Sequence, residues 1–192
     1  MRVTGGHLGG RPIPVPRAEV RPTSDRVREA LFSILGERVP GARVADLFAG
    51  SGSLGLEALS RGAEAVWWVE RSHRVLRTLR ETVKTLGRGC EAELRVITGD
   101  ATRFLSASGD DPPVFDLIFA DPPYGSAWAE KTLRLLAERP ILRPSGLVIL
   151  EQGAKDPMPS MKEWEILRDK KYGDTRVVIC RRPEPDATEE PA

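Results

Sequence analysis

The chain of 192 residues is poor in the residue types that build disulfides and metal sites. It has two cysteines, Cys90 and Cys180, and two histidines, His7 and His73. The cysteines form no Cys-x-x-Cys pair, and neither histidine has a second histidine or a carboxylate at ligand spacing. The sequence therefore indicates neither a disulfide framework nor a metal centre. We expect Cys180, which lies in an apolar run, to be part of the core.

Long apolar runs and a strong net charge are also absent. The sequence has no apolar run long enough for a membrane helix and no signal peptide, so we expect a cytoplasmic protein. The net charge is +1, which is less basic than is usual for proteins that bind nucleic acid. The charge is unevenly distributed, however, because residues 1–28 contain six arginines and two acids. Such a basic segment either holds phosphates or is a solvated surface.

Most of the chain alternates between patterns typical of strands and of helices. Apolar runs suited to buried strands lie at 44–48, 65–69, 94–97, 115–120 and 147–150. Helical patterns lie at 27–35, 54–60, 73–86, 101–105 and 127–137. This alternation predicts an α/β fold with a mostly parallel sheet and helices on both faces. Two further runs, 164–167 and 176–180, flank a Tyr172-Gly173-Asp174 turn and predict an antiparallel hairpin at the sheet edge.

The two ends of the chain differ from the rest in composition. The first 20 residues are rich in glycine and proline between short β-prone runs, which favours a small β-hairpin arm. The last ten residues, PEPDATEEPA, have too little apolar surface to pack and are predicted to be disordered. We expect an arm over 1–21, one α/β domain over 22–182, an acidic tail over 183–192, and a monomer.

A glycine-rich turn follows the first predicted strand. Residues 50–55 read Gly-Ser-Gly-Ser-Leu-Gly, a G-x-G-x-x-G pattern that lets the backbone approach a ligand. Glu70 ends the second strand, 20 positions after Gly50, where an acid accepts hydrogen bonds from ribose hydroxyls. Asp100 follows the third strand and is suited either to an adenine amino group or to capping the next helix. These features fit NAD, FAD and S-adenosylmethionine alike.

The segment Asp121-Pro122-Pro123-Tyr124 follows the fourth predicted strand. It resembles the signature of methyltransferases that modify exocyclic amines of nucleic-acid bases. Such an amine is a poor nucleophile because its lone pair is delocalised into the ring. A carboxylate and a backbone carbonyl, placed by two rigid prolines, accept its N–H groups, and an aromatic ring stacks on a base that has left its helix.

Other segments carry a closer resemblance. They are VTGG at 3–6, RPTSDRVREALF at 21–32, DLFAGSG at 46–52 and DPPYG at 121–125. Together they are similar to the bacterial 16S rRNA guanine-N2 methyltransferases of the RsmD type, over about residues 1–180. The resemblance implies a Rossmann-like Class I methyltransferase fold with a seven-stranded sheet. It also implies S-adenosylmethionine as cofactor and a guanine of 16S ribosomal RNA, in an assembled or partly assembled small subunit, as acceptor.

Three sets of candidate site residues follow from the motifs and the resemblance. The catalytic set is Asp121, Pro122, Pro123 and Tyr124. The cofactor-binding set is Asp46, Phe48, Gly50, Ser51, Gly52, Gly55, Glu70, Arg71, Asp100 and Ala101. The RNA-binding set is Arg11, Arg21, Thr23, Arg26 and Arg28. Thr23 and Arg26 are equally compatible with a place beside the methionine end of the cofactor.

Two alternative functions share part of this pattern. A DNA adenine-N6 methyltransferase has the same fold, cofactor and Asp-Pro-Pro-Tyr segment, but usually carries an additional target-recognition domain. An NAD-dependent oxidoreductase or a nucleotide-binding module shares only the glycine-rich turn and the acid at position 70. Neither the oxidoreductase nor the nucleotide-binding module explains the Asp-Pro-Pro-Tyr segment.

Overall fold

The computed structural model describes residues 1–15, 24–107, 112–123 and 127–183. Within these residues the helices are α1 (Asp25–Leu35), α2 (Ser53–Ser60), α3 (His73–Leu86), α4 (Ala101–Ser106) and α5 (Trp128–Glu138), and a 3-10 turn covers Gly36–Arg38. The strands are β1 (Arg43–Leu47), β2 (Ala65–Glu70), β3 (Glu93–Thr98), β4 (Phe115–Ala120), β5 (Leu142–Gly153), β6 (Glu165–Tyr172) and β7 (Thr175–Arg181).

All seven strands form one sheet in the order β3-β2-β1-β4-β5-β7-β6. The first five strands pair in parallel, and β7 runs antiparallel to both β5 and β6. This confirms the predicted α/β fold with a mostly parallel sheet and a C-terminal hairpin. The direction of strand progression reverses between β1 and β4, and such a switch point opens a crevice at the carboxyl ends of the strands.

Helices cover both faces of the sheet. One core contains the apolar faces of α1, α2 and α3, and the other contains those of α4 and α5. Trp68 and Cys180 are fully buried and Trp67 is nearly so, as expected for residues within apolar strand runs. Among the described residues no helix is long and apolar enough to cross a membrane.

The described part of the predicted arm, residues 1–15, folds back on itself. The amide of Val3 donates to the carbonyl of Arg11 at 2.9 Å, and an antiparallel bridge joins Arg2 to Pro12. Three apolar side chains of the arm, Val3, Leu8 and Ile13, are buried in the same core as α1 and α2. The arm is therefore packed against the main domain.

Two strands are longer than their apolar patterns. Strand β5 begins at Leu142 and passes through Pro144, and β6 continues to Tyr172 through four charged residues. Strand β6 is exposed along nearly its whole length at the edge of the sheet, so the apolar run at 164–167 indicates only its beginning. The predicted acidic tail, from residue 184 onward, lies outside the described residues.

Candidate active site

The carboxyl ends of four neighbouring strands enclose a cavity of about 520 Å³. The turn after β1 contributes to one wall, and the ends of β2 and β3 contribute acidic side chains. The segment after β4 closes the cavity from the other side of the switch point. Its lining is Phe48, Gly50, Val69, Glu70, Arg71, Ser72, Val75, Gly99, Asp100, Ala101, Asp121, Pro122, Pro123 and Trp128.

The glycine-rich turn is held against the end of β2. The amides of Phe48 and Ala49 both donate to the carbonyl of Val69, at 3.1 and 3.0 Å. Phe48 has a φ of 73°, which residues other than glycine rarely adopt, and Gly50 also has a positive φ of 53°. Backbone conformations of this kind occur preferentially at ligand sites, because the surrounding structure must hold them. Both residues line the cavity.

Glu70 is held by backbone amides on both of its carboxylate oxygens. Oε2 accepts the amide of Gly50 at 2.9 Å, and Oε1 accepts the amide of Ser72 at 2.7 Å. A carboxylate has about four lone-pair sites, so each oxygen keeps capacity for a further donor. The two amides fix the carboxylate at the cavity wall, where it can receive a pair of adjacent hydroxyl groups.

Four residues of the predicted cofactor set support the turn from behind instead of lining the cavity. The buried carboxylate of Asp46 accepts the amide of Gly55 at 3.0 Å. A Cβ atom on Gly55 would lie 2.2 Å from Nε1 of Trp68, so only glycine permits the close packing of α2 on the sheet. Gly52 is similarly crowded by Leu79, and Ser51 is buried.

Asp46 differs electrostatically from the acids of the cavity. Burial raises the pKa of Asp46 to about 7, the hydrogen bond from Gly55 opposes this rise, and the nearby charge of Glu70 adds to it. Its role is thus to anchor the start of α2. The predicted cofactor set therefore divides into residues at the cavity wall and residues that support them.

Asp100 caps α4 at the cavity wall. Its Oδ1 accepts the amide and the hydroxyl of Thr102, at 2.9 and 2.6 Å, and the amide of Arg103 at 3.3 Å. Partial desolvation raises the pKa of Asp100, but these hydrogen bonds and the charge of Arg71 outweigh it and lower the pKa below its usual value. The capping alternative is confirmed, and because Oδ1 carries these three bonds, Oδ2 is the oxygen available to a ligand.

The segment after β4 brings the predicted catalytic residues to the same cavity. Asp121 follows Ala120, which pairs with Leu47 of β1 on one side and with Leu150 of β5 on the other. Asp121, Pro122 and Pro123 all line the cavity, with Pro122 buried. Three paired strands therefore fix the backbone position at which Asp121 begins the segment. Tyr124 lies outside the described residues, and its stacking role stays a prediction.

Sequence reasoning missed five residues of the cavity lining. Trp128, at the first position of α5, is the largest of them. Its ring lies 6.3 Å from that of Phe48 in an edge-on arrangement, and the guanidinium of Arg71 lies 6.0 Å from its centroid. Its position in the sequence, seven residues after Asp121, was the signal that could have placed this tryptophan near the cavity. The other four, which carry no distinctive motif, are Val69, Ser72, Val75 and Gly99.

The structure corrects one member of the predicted RNA-binding set. Arg28 is fully buried, and its guanidinium contacts the carboxylates of Glu57, at 3.3 Å, and Asp25, at 2.9 Å. It also donates to the carbonyl of Arg2 in the N-terminal arm. The prediction that Arg28 contacts RNA is therefore wrong, since a side chain with no exposed surface cannot reach a phosphate.

The remaining members of that set are not contradicted. Arg11 lies on the arm and Arg26 on the first turn of α1. Both side chains are exposed. Their contact with RNA stays a prediction. Arg21 and Thr23 lie outside the described residues.

Comparison with known proteins identifies similar chains over almost the whole length. Residues 1–181 match the protein family described as conserved hypothetical protein 95. The chain is 35% identical to the ribosomal RNA small subunit methyltransferase D of Haemophilus influenzae, covering 90% of this chain and 89% of that one. It is also 35% identical to the protein of the same name from Escherichia coli K12, covering 95% and 90%.

Solved structures show the same architecture. The structure of the Escherichia coli protein yhhF superposes with a TM-score of 0.82 at 35% identity, covering 95% of this chain and 97% of that one. A hypothetical protein of Thermus thermophilus superposes with a TM-score of 0.77 at 30% identity, covering 93% and 98%. A more distant structure, with a TM-score of 0.63 and 17% identity, was determined in complex with SAH, and at that identity the likeness shows the fold alone.

Proposed function

The chain belongs to the conserved hypothetical protein 95 family, and on that premise we propose that it transfers a methyl group from S-adenosylmethionine to the exocyclic N2 of a guanine in 16S ribosomal RNA. The observation that carries the proposal is the meeting of Glu70, Asp100 and Asp121 around one cavity at the switch point of the sheet. Two relatives named as small-subunit rRNA methyltransferases support the reaction and the substrate class.

The residues of the cavity fit S-adenosylmethionine. Glu70 offers two oxygens, fixed by backbone amides, to the two hydroxyls of a ribose. Asp100 offers Oδ2 to an adenine amino group, and Phe48 and Val75 provide apolar surface for the adenine ring. When bound, this cofactor supplies an electrophilic methyl group on a positively charged sulfur.

Asp121 and Pro122 are suited to hold the amine that receives the methyl group. Guanine presents N1–H and the N2 amino group side by side, and an ionised carboxylate is an acceptor only, so Asp121 complements that edge. The amine gains positive charge as it attacks, and a fixed carboxylate beside it stabilises the charge where it develops. The carbonyl of Pro122 is held by the rigid ring and accepts the second N–H. Tyr124 stacks on the guanine taken out of its helix.

We also propose the setting of the reaction. The substrate is 16S rRNA in an assembled or partly assembled small subunit, and the protein acts as a monomer in the cytoplasm. The names of the relatives support the small subunit as the source of the RNA.

Single-turnover methyl transfer by an Asp121→Ala variant tests the proposal. With saturating cofactor and small subunits that lack the methylation, we expect the rate to fall by about 10²-fold or more, while the affinity for S-adenosylhomocysteine stays near normal. Asp174→Ala is a matched control, because Asp174 is an exposed acid in the turn between β6 and β7. A near-wild-type rate for Asp121→Ala would exclude this segment as the catalytic site.

Mass spectrometry of the product tests the acceptor separately. We expect N2-methylguanine at one position of 16S rRNA. Methyl groups on adenine N6 of DNA, and none on rRNA, would instead support the DNA methyltransferase alternative.

A further inference from the structure

Helix α3 carries a concentration of positive charge that the net charge of the protein conceals. The whole chain has 29 basic and 28 acidic residues, but residues 71–88 contain six cations and one acid. All six cations are exposed, and we call them the α3 ridge: Arg71, Arg74, Arg77, Arg80, Lys84 and Arg88.

The ridge is continuous because of the helical repeat. Arg74, Arg77, Arg80 and Lys84 recur every three or four residues within α3, so they lie on one side of the helix, and Arg71 and Arg88 lie just beyond its two ends. The opposite side is buried in the core and carries Val75, Leu76, Leu79, Val83 and Leu86. Since α3 has 14 residues, the helical part of the ridge is about 21 Å long.

Ion pairs within the protein mostly involve arginines outside the ridge. Arg43 pairs with Glu93 at 3.3 Å, and Arg176 pairs with Asp169 at 2.5 Å. By contrast, Arg77, Lys84 and Arg88 form no ion pair with any residue in the part of the chain that the structure describes. Their charges are therefore available to an external anion.

The ridge begins at the active-site cavity. Arg71 lines the cavity and lies over the ring of Trp128, and Val75 in the first turn of α3 lines it as well. Arg80, farther along, donates to the hydroxyl of Thr98 on β3 at 2.7 Å, which orients its guanidinium beside the sheet. The line of cations thus starts at the cavity and runs down the outer side of the domain to Arg88.

We propose that the α3 ridge binds the phosphate backbone of the RNA strand that flanks the target guanine. The inference rests on the proposed function, and the guanidinium of Arg71, 6.0 Å from the ring centroid of Trp128, links the ridge to the side of the cavity that holds Asp121. A row of cations at regular spacing complements a polyanion along its length, and exposed charges of this kind also steer the encounter. Guanidinium groups bind phosphate oxygens in a bidentate geometry, which favours the arginines of the ridge as contacts.

The test compares two triple variants that each remove three positive charges. The ridge variant is Arg77→Gln, Lys84→Gln and Arg88→Gln, and glutamine preserves helix propensity. The control variant is Arg168→Gln, Lys170→Gln and Lys171→Gln, on the exposed strand β6 at the far end of the sheet. The probe is protein-free 16S rRNA, titrated with each protein at several salt concentrations.

In the ridge variant we expect the magnitude of the negative slope of log K against log salt to decrease by about 2. Each phosphate that a cation no longer neutralises decreases this magnitude by about 0.7. The control should change the slope by less than half as much. Binding of S-adenosylhomocysteine should be unchanged in the ridge variant, because none of its three positions lines the cavity. Equal slopes for the wild type and the ridge variant, or an equal decrease in both variants, would overturn the proposal.

Two further outcomes separate the possible errors. The ridge variant could bind protein-free rRNA with the affinity of the wild type and yet bind assembled small subunits more weakly than the wild type. In that case the partner of the ridge is a ribosomal protein, and the proposal fails. If the wild-type chain methylates no guanine in small subunits, the proposed function fails, and the salt slopes still decide whether the ridge contacts RNA.

Discussion

Replacing Glu57 by glutamine should cost a large part of the free energy of unfolding. The Glu57 carboxylate is fully buried and accepts the guanidinium groups of Arg28, at 3.3 Å, and Arg61, at 2.9 Å. It also accepts the amide and the hydroxyl of Thr4, at 2.8 and 2.7 Å. Glutamine retains the shape but removes the charge and replaces one acceptor oxygen by a donor.

The size of the loss follows from the burial of Arg28. Removing one partner of a buried ion pair costs about 3–5 kcal/mol, because the other charge remains in the interior. Arg28 retains the half-exposed carboxylate of Asp25 at 2.9 Å, so we expect the lower end of that range. A loss of about 3 kcal/mol is a large fraction of the roughly 5–15 kcal/mol that stabilises a typical protein.

Urea unfolding followed by circular dichroism measures this loss. With a slope of about 2 kcal/mol per molar urea, the midpoint of Glu57→Gln should fall by about 1.5 M at an unchanged slope. Glu29→Gln is the control, because Glu29 is exposed on α1, and its effect should stay within about 0.5 kcal/mol. An unchanged midpoint for Glu57→Gln would refute the reasoning.

Three further predictions concern the cofactor, the RNA and the response to pH. Glu70→Ala should weaken S-adenosylhomocysteine binding by about 1–3 kcal/mol, and unchanged affinity in calorimetry would remove Glu70 from the site. Arg11→Ala should decrease the magnitude of the slope of log K against log salt for RNA binding by about 1. A slope equal to that of the wild type would exclude the arm as an electrostatic contact. Because burial raises the pKa of Asp46 from 3.8 to about 7, the folded chain keeps a proton that the unfolded chain releases. The retained proton stabilises the folded chain relative to the unfolded chain. This contribution is fully present below about pH 4 and is lost as the pH rises through about 7. The stability of Asp46→Asn relative to the wild type should therefore rise between about pH 4 and 7, and a constant difference in urea midpoints would contradict this.

The fold could be predicted from the sequence wherever apolar periodicity was strong. The strand at Phe115–Ala120 and the helix at His73–Leu86 have the predicted boundaries, because the strand is an apolar run buried on both faces and the helix buries one regular apolar face. The apolar pattern indicated only the first residues of the strand at Glu165–Tyr172, because this edge strand is held by backbone hydrogen bonds to β7 and buries almost no side chain. Backbone pairing leaves no mark on the side-chain pattern of an exposed edge.

Much of the candidate site was likewise open to sequence reasoning. Acids and glycines directly after parallel strands must lie at one edge of a sheet, so Glu70, Asp100 and Asp121 could be placed together from the sequence. Their chemistry at the cavity remains a prediction. Only packing showed that Asp46, on the same motif, faces the buried side of the turn and that Trp128 reaches the cavity from the next helix.

Charge was the property that the sequence determined least. The sequence by itself showed a basic N-terminal segment, which led to the wrong prediction that Arg28 contacts RNA. Tertiary structure decided that Arg28 lies in the core with Glu57, whereas the cations of α3 remain on the surface. Burial depends on which face of a helix meets the rest of the fold. An arginine becomes a core residue when a carboxylate distant in the chain meets it there, and in this protein that carboxylate lies 29 residues away.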